Sequence, residues 1–187
     1  MTHLTGALLV SCALALTGCS GDQPADDSSG AASAAVAPAS ESLPDALDDA
    51  DGLQTVAEAL KSTGIEGIFK DKGSYTLLAP DDDAFAALGD AGKQLVSGQD
   101  QAALAALLKA HMLTGYVTPQ DIGAAIDASD SGQVTMATLA GGEVTFTRAD
   151  GAIEVSSGDG SQARLEGDPV TGGQSIAIPV NGVLKKT

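Results

Sequence analysis

The chain has 187 residues, with 25 acidic residues against 9 lysines and arginines and a formal net charge of −16. A surface of this sign repels phosphate groups, which argues against nucleic acid and anionic lipid headgroups as partners. Aromatic residues make up 3% of the chain. The core must therefore consist mainly of Leu, Ala, Val and Ile, and a platform of aromatic rings for sugar stacking is disfavoured.

Residues 1–18 are predicted to be a signal peptide. An apolar stretch from Leu4 to Leu16 is too short to cross a bilayer as a helix and has the length of a signal-peptide hydrophobic region. It runs into Leu16-Thr17-Gly18-Cys19, which resembles the bacterial lipobox, where cleavage precedes a cysteine that becomes lipidated. The residues before it depart from the usual pattern because they include no Lys or Arg. We expect a lipid anchor at Cys19, with an ordinary cleaved signal peptide as the alternative.

Residues 19–42 are predicted to contain this lipidated cysteine and a flexible linker, followed by a single domain at residues 43–187. The linker is rich in Ala, Ser, Gly, Pro and Asp and has no apolar periodicity. Its mean reach is roughly 25 Å, enough to hold a domain clear of a membrane. Cys12 is lost with the leader, so the domain has no free thiol for a disulfide, a nucleophile or a metal site.

This leader predicts a location in the bacterial cell envelope. Ser20 follows the cysteine in place of the Asp that retains enteric-type lipoproteins at the inner membrane, which favours the outer membrane. The domain is then expected in the periplasm or at the cell surface.

The domain is predicted to begin with helices. Asp48, Asp49 and Asp51 are interpreted as the solvated start of a helix. Apolar residues then recur at helical spacing from Leu53 to Leu60, and Ile65–Phe69 predicts a further short helical turn.

A strand that leads directly into a helix is predicted next. Tyr75 to Ala79 is apolar and β-prone, and Pro80 should end the strand because proline cannot donate to a ladder. Asp81 is the expected N-cap of the following helix. Phe85 lies on the face of that helix that should pack against the sheet.

The two aspartates after this cap are interpreted as first-turn charges. Asp82 and Asp83 oppose the positive end of the helix dipole, so Asp82→Ala is expected to be nearly silent. A calcium site is the alternative, but it would need six or more oxygen ligands, and the spacing of an EF-hand is absent.

The longest helix is predicted from Ala102 to Met112, with Asp100 as its cap. His111 falls on the apolar stripe of this helix. We interpret it as a core histidine whose ring nitrogens bond backbone groups, because no Cys or second His of the mature domain can join it in a site. A catalytic or ligand-binding role is the alternative.

The second half of the domain is predicted to be a mostly antiparallel sheet. Thr118-Pro119 has the pattern of one more helix start. From Gln133 onward the apolar period is two, and Asp150-Gly151 predicts a tight hairpin turn. Pro179 suggests that the last strand lies at an edge or contains a bulge. Helices followed by strands predict an α+β fold.

Four segments resemble the fasciclin domain family. The strand with Ala79-Pro80 and Ala84-Phe85-x-x-Leu88 is similar to the family's first signature, and Leu107–Thr118 is similar to its helix–histidine–glycine segment. Thr138-Leu139 with Gly141-Gly142 is similar to its hairpin, and Asn181–Leu184 to its closing strand. The resemblance implies N-terminal helices packed on a mostly antiparallel β-wedge.

The resemblance also implies a function. It implies cell-surface adhesion or matrix binding, with an unidentified protein or polysaccharide as the partner. Together with the predicted lipid anchor, it leads to the prediction of a non-enzymatic, membrane-anchored interaction or adhesion module that is monomeric and has no cofactor. Ala110 stands where the family usually has a Tyr linked to adhesion, which weakens that part of the comparison. Glu166–Val170 resembles a segment that some animal members present to integrins, but Pro169 replaces its Ile, and an exposed acidic loop is the favoured interpretation.

Two other functions are considered. Some fasciclin proteins carry carotenoids, and Met112 and Met136 are the candidates for lining a groove for such an apolar ligand, although core filling is the usual role of such residues. An enzyme, by default a hydrolase, is disfavoured because no nucleophile, base and orienting group can be assembled from the sequence.

Overall fold

Six α-helices and one 3-10 helix flank two four-stranded sheets in the computed structural model, which describes residues 41–70 and 73–184. The helices are α1 (Leu43–Asp48), α2 (Gln54–Ser62), α3 (Asp82–Ala87), α4 (Asp90–Val96), α5 (Gln101–Ala110) and α6 (Pro119–Ala128), with the 3-10 helix at Ile65–Lys70. The strands are β1 (Tyr75–Pro80), β2 (Met112–Thr114), β3 (Gln133–Ala137), β4 (Glu143–Ala149), β5 (Ala152–Ser157), β6 (Gln162–Arg164), β7 (Val170–Gly172) and β8 (Ser175–Val180).

The first sheet has the order β2-β1-β8-β7, and the second has the order β3-β4-β5-β6. Every neighbouring pair is antiparallel except β1 and β8, which are parallel. The predicted α+β fold with a mostly antiparallel sheet is therefore confirmed. The parallel pair joins the first strand of the domain to the last. The first sheet is therefore complete only when strands from both ends of the domain have paired.

Two apolar clusters form most of the core. One lies between the N-terminal helices and the first sheet and includes Leu43, Leu60, Leu77 and Phe85. The other joins the second sheet to the first sheet and α6, and its largest side chain is the fully buried Phe146. The alternation of buried and exposed residues along β4 explains why a period of two marks this half of the sequence.

The helix that was expected to end at Met112 is shorter. Helix α5 ends at Ala110, His111 is its C-cap, and Met112 begins β2. Met112 is paired with Leu77, and the backbone N–H of Leu78 donates to the carbonyl of His111 at 2.8 Å. Strand pairing with β1 thus takes over residues whose local pattern is helical.

The expectation that Pro179 marks an edge strand is wrong. Strand β8 is an inner strand between β1 and β7. Pro179 is tolerated because the ladder to β7 stops at Ala177, two residues earlier. Its carbonyl still accepts the backbone N–H of Glu166 at 2.9 Å.

The acidic run at residues 48–51 follows a helix rather than beginning one. Asp48 is the last residue of α1, and Asp49 is its C-cap. The expectation of a helix start is wrong because these residues follow α1, which is not among the predicted elements. Helix α1 carries two fully buried residues, Leu43 and Leu47. The side chain of Asp48 forms an ion pair with Lys61 of α2.

The predicted signal peptide and the lipidation of Cys19 lie outside the described residues, as does nearly all of the predicted linker. Within the described ranges, none of the helices combines the length and apolarity required to span a bilayer.

Candidate functional site

The corner between β1 and α3 is built as the sequence predicts. Asp81 has an extended backbone, with φ −69° and ψ 169°, and its Oδ1 accepts the backbone N–H of Ala84 at 2.6 Å. This is an N-cap of α3. The backbone N–H of Asp81 donates to the carbonyl of Val180 at 3.0 Å, so the cap is also fixed to β8.

Asp82 does more than add charge to the first turn of its own helix. Its Oδ1 accepts the backbone N–H of Thr55 at 2.9 Å, and its own N–H donates to the carbonyl of Gly52 at 2.9 Å. Thr55 lies in the first turn of α2, whose N-cap residue, Leu53, has an apolar side chain and cannot accept this N–H. Asp82 therefore caps α2 from a different part of the chain, and the expectation of a nearly silent residue has to be corrected.

An open cleft of about 730 Å³ adjoins this corner. It is lined by residues 50–53, residues 81–83 and the acidic loop that precedes β7, together with Val170 of β7 and Pro179 of β8. Its carboxylates are Asp51, Asp81, Asp82, Asp83, Glu166 and Asp168. The fold thus brings six acidic side chains from separate parts of the chain to one opening.

Several carboxylates of the cleft already have protein partners. Asp81 and Asp82 accept backbone N–H groups, and Glu166 Oε1 accepts from Asn181 Nδ2 at 2.7 Å. Among the described residues, no group of three or more His, Cys, Asp or Glu side chains has an arrangement that could hold a metal ion. The cleft is thus an acidic surface in which part of the charge serves to fix the backbone.

The loop at Glu166–Asp168 is exposed, as expected for this acidic segment. It is adjacent to Pro179 of the inner strand β8, which also borders the cleft. The loop and the β1–α3 corner therefore face the same opening although more than 80 residues separate them.

His111 is fully buried, at 0% exposure, and its carbonyl accepts the backbone N–H of Leu78 in the middle of β1. Its Nδ1 lies 2.8 Å from the carbonyl of Leu107, and its Nε2 accepts the backbone N–H of Leu184 at 2.9 Å. Since a carbonyl can only accept, Nδ1 carries the proton and donates to Leu107. The interpretation of a core histidine bonded to backbone groups is confirmed.

Burial lowers the pKa of His111 to about 4, and the hydrogen bond to Leu107 opposes this shift. The ring is therefore neutral at physiological pH. Both of its nitrogen atoms are engaged by backbone groups, so the ring has no free nitrogen for a substrate or a metal. Its contribution is to join the end of α5 to the C-terminal part of the domain.

The two methionines considered as liners of an apolar groove are part of the packed interior. Met112 is fully buried in the first core cluster. Met136 is partly buried and packs against the second cluster. Neither lines the acidic cleft or the smaller cleft beside Arg148. Phe85 is buried as expected, and Phe146 is fully buried as well.

The capping role of Asp82 is the feature that the sequence pattern alone did not reveal. One signal for it is present, because Leu53 occupies a helix start without an acceptor of its own. A helix start of this kind requires an acceptor from elsewhere. The sequence does not tell which of the acidic residues provides it, since Thr55 and Asp82 are 27 positions apart.

Comparison with known proteins agrees with this architecture. The model of the Fasciclin domain family matches residues 51–185. A solved structure, the FAS1 domain pair from the insect cell adhesion molecule fasciclin I, aligns with a TM-score of 0.67 and 13% sequence identity. The alignment covers 79% of this chain and 52% of that chain, so the protein spans about half of the solved pair. A comparison with curated proteins finds no match. Because the family model matches well over half of its residues, this chain belongs to the fasciclin domain family.

Proposed function

We propose that this protein is a membrane-tethered interaction module of the cell envelope that acts in adhesion rather than in catalysis. The observation that carries the proposal is the family match over residues 51–185. The same fold occurs in a domain pair of an insect cell adhesion molecule. At 13% identity that likeness supports the fold, and the adhesive role is our inference from the family.

The arrangement of the polar residues supports a binding role. The buried His111 is bonded through both ring nitrogens to backbone groups, and Asp81 and Asp82 are engaged in helix caps. These three residues therefore stabilise the fold. Binding to a partner would be made by exposed residues of the domain. The partner that we propose is a protein or a polysaccharide at the cell surface, bound by a single copy of the domain.

The tether that we propose is a lipid on Cys19. Its position at the end of an apolar stretch fits a lipoprotein signal, and residues 20–40 then give a mean reach of roughly 25 Å from the membrane. Ser20 favours the outer membrane as the location. A domain on such a linker can meet partners that lie close to, but not in, the bilayer.

Crosslinking on intact cells tests the adhesive role. The full chain is expressed in its host, crosslinked, and purified under denaturing conditions, and captured proteins and glycans are identified. The matched control carries residues 1–42 fused to an unrelated acidic domain. A partner captured by the full chain and not by the control is expected. Equal capture by both would contradict the proposal, because it would reflect the location and charge alone.

Cell fractionation tests the tether separately. Cys19→Ala should move the protein from the membrane fraction to the soluble fraction and remove the mass added by the lipid. Stable attachment needs more than one acyl chain, so the mass difference should correspond to multiple acylation. Membrane retention of the Cys19→Ala variant at the wild-type level would refute the lipoprotein assignment while leaving the adhesive role open.

A further inference from the structure

The residues after β8, which we call the closing segment (Asn181–Leu184), form hydrogen bonds to the rest of the domain at two points. At the first point, Asn181 donates its backbone N–H to the carbonyl of Arg164 at 3.1 Å, and its Oδ1 accepts the N–H of Arg164 at 2.8 Å. Its Nδ2 also donates to Glu166 at 2.7 Å. At the second point, the N–H of Leu184 donates to His111 Nε2 at 2.9 Å.

The second point depends on the protonation state of the imidazole. Nδ1 must carry a proton because it faces the carbonyl of Leu107, and Nε2 must lack one because it faces the N–H of Leu184. A proton added to Nε2 would place two N–H groups opposite each other. The first point involves backbone and amide groups together with the Glu166 carboxylate, and it does not involve the imidazole.

Few charges can compensate an imidazolium at this position. His111 is hydrogen-bonded to residues of α5, β1 and the closing segment, and it directly precedes β2 in the chain. Their titratable residues are Lys109 of α5, which is exposed, and Tyr75 of β1, whose ring packs against Phe69. Strand β2 and the closing segment contain no titratable residue. A charged ring would therefore be buried without a counter-ion, which is strongly unfavourable.

We propose that acid releases residues 182–184 from the domain while Asn181 stays attached, and that protonation of His111 at Nε2 is the event that releases them. Val183 and Leu184 are buried in the neutral state, at 9% and 1% exposure. Their departure lets water reach the imidazolium and uncovers the apolar side chains that Val183 contacts, Ala84 and Leu107. The fold thus contains an acid-sensitive end that changes the apolar surface of the protein without unfolding the sheets. This inference does not depend on the adhesive role.

Burial holds the pKa of His111 at about 4 while residues 182–184 are bound, whereas release into water restores its ordinary value of 6.5. Between these two values, the ratio of the bound to the released segment falls by about tenfold for each pH unit. The exchange protection that the hydrogen bond to His111 gives the Leu184 amide should fall in the same proportion.

Amide hydrogen exchange followed by NMR on the full chain tests this inference. Exchange rates are converted to protection factors at each pH, so that the intrinsic pH dependence of exchange is removed. We expect the protection of the Leu184 amide to fall by about tenfold per pH unit as the pH is lowered from 6.5 towards 4. The amide of Asn181 is the internal control and should keep its protection over the same range. The nitrogen chemical shifts of the imidazole should report protonation of Nε2 at the same pH.

His111→Gln is the matched variant, because the Gln side chain retains an acceptor for Leu184 but does not titrate. Its Leu184 amide should stay protected at every pH at which the domain is folded. If this variant does not fold, the exchange measurements on the wild-type protein alone still test the proposal. Simultaneous loss of protection at Leu184 and Asn181, or a protected Leu184 with Nε2 protonated, would overturn the proposal.

Discussion

Asp82, the first residue of α3, accepts through its carboxylate the backbone N–H of Thr55 in the first turn of α2, at 2.9 Å. A residue in the first turn of α3 thus caps the start of α2. The N–H of Asp82 donates in turn to Gly52 in the loop before α2. These two bonds fix the loop before α2 to the β1–α3 corner. The loop and the corner both border the acidic cleft.

The first prediction concerns this pair of residues. Asp82→Ala leaves the N–H of Thr55 without an acceptor and should lower the free energy of unfolding by about 1 kcal/mol, as loss of an N-cap does. Asp82→Asn keeps an acceptor oxygen and should recover most of that loss. Urea unfolding at neutral pH measures both.

Asp83→Ala is the control for this measurement. Asp83 is exposed in the same first turn, so its removal takes away a similar interaction with the helix dipole without the bond to α2. Equal destabilisation by Asp82→Ala and Asp83→Ala would mean that the bond to Thr55 contributes nothing measurable.

A second prediction compares the cap of α3 with its packing. Phe85 is 4% exposed and lies in the first core cluster. Phe85→Ala should therefore cost roughly 3–5 kcal/mol. Asp81→Ala removes the acceptor for Ala84 and should cost only about 1 kcal/mol. If thermal unfolding ranks the two variants in the reverse order, α3 is stabilised mainly through its cap.

Local signals in the sequence were sufficient for several helix starts and turns. Asp100 accepts the N–H of Ala103, and Thr118 forms a capping box with Asp121, because both patterns lie within four residues. Asp150 and Gly151 have φ values of 51° and 81°, as the tight turn between β4 and β5 requires.

Features that depend on distant residues could not be predicted in this way. The bond from Thr55 to Asp82 and the parallel pairing of β1 with β8 join residues 27 and about 100 positions apart, and no local pattern specifies either. The same holds for the end of α5, where pairing of Met112 with Leu77 overrides a helical pattern. The acidic cleft results from these long-range contacts. The sequence shows which residues are acidic but does not show which of them lie together.

The third prediction concerns the stability contributed by His111. His111→Ala should lower the free energy of unfolding by about 3 kcal/mol, since it leaves a cavity and removes the acceptor of the Leu184 N–H. His111→Lys should be more damaging because it buries a charge. Wild-type unfolding energy with abolished partner binding would instead assign His111 a functional role.

The pH dependence of stability follows from the same residue. The pKa of His111 is about 4 in the folded protein, below its ordinary value of 6.5. The unfolded chain therefore binds more protons, and the contribution of His111 is complete above about pH 6.5 and declines as the pH falls towards 4. His111→Gln should lack this component. Asp121 and Asp127, whose pKa values are lowered by hydrogen bonds to Thr118 and Arg148, titrate in both proteins and cancel in the comparison.

A fourth prediction concerns calcium. Two of the six carboxylate oxygens of Asp81, Asp82 and Asp83 accept backbone N–H groups, which leaves four where calcium requires six or more ligands. No group of carboxylates among the described residues has an arrangement that could hold a metal ion. Calcium should therefore raise the melting temperature no more than an equal ionic strength of sodium chloride does. A large calcium-specific rise that disappears in Asp83→Ala would identify an ion site at the cleft.

The last prediction concerns α1, which lies before residue 51, where the family match begins. Its Leu43 and Leu47 are fully buried, and the N–H of Gly173 donates to the carbonyl of Glu41 at 2.7 Å. A Cβ on Gly172 of β7 would overlap with the Cα of Leu43. Because the obstructing atoms are backbone, the contact cannot be relieved by a side-chain rotation.

Gly172→Ala should therefore destabilise the domain by about 1–3 kcal/mol, as overpacking does, and should reduce the exchange protection of amides in α1 first. Gly67→Ala is the matched control, since a Cβ there meets nothing within 4 Å. Its effect should stay within about 0.5 kcal/mol. If both variants unfold at the wild-type urea concentration, α1 does not pack on β7 in solution. If only Gly172→Ala is destabilised, the folded unit includes α1 and begins before the part that the family pattern describes.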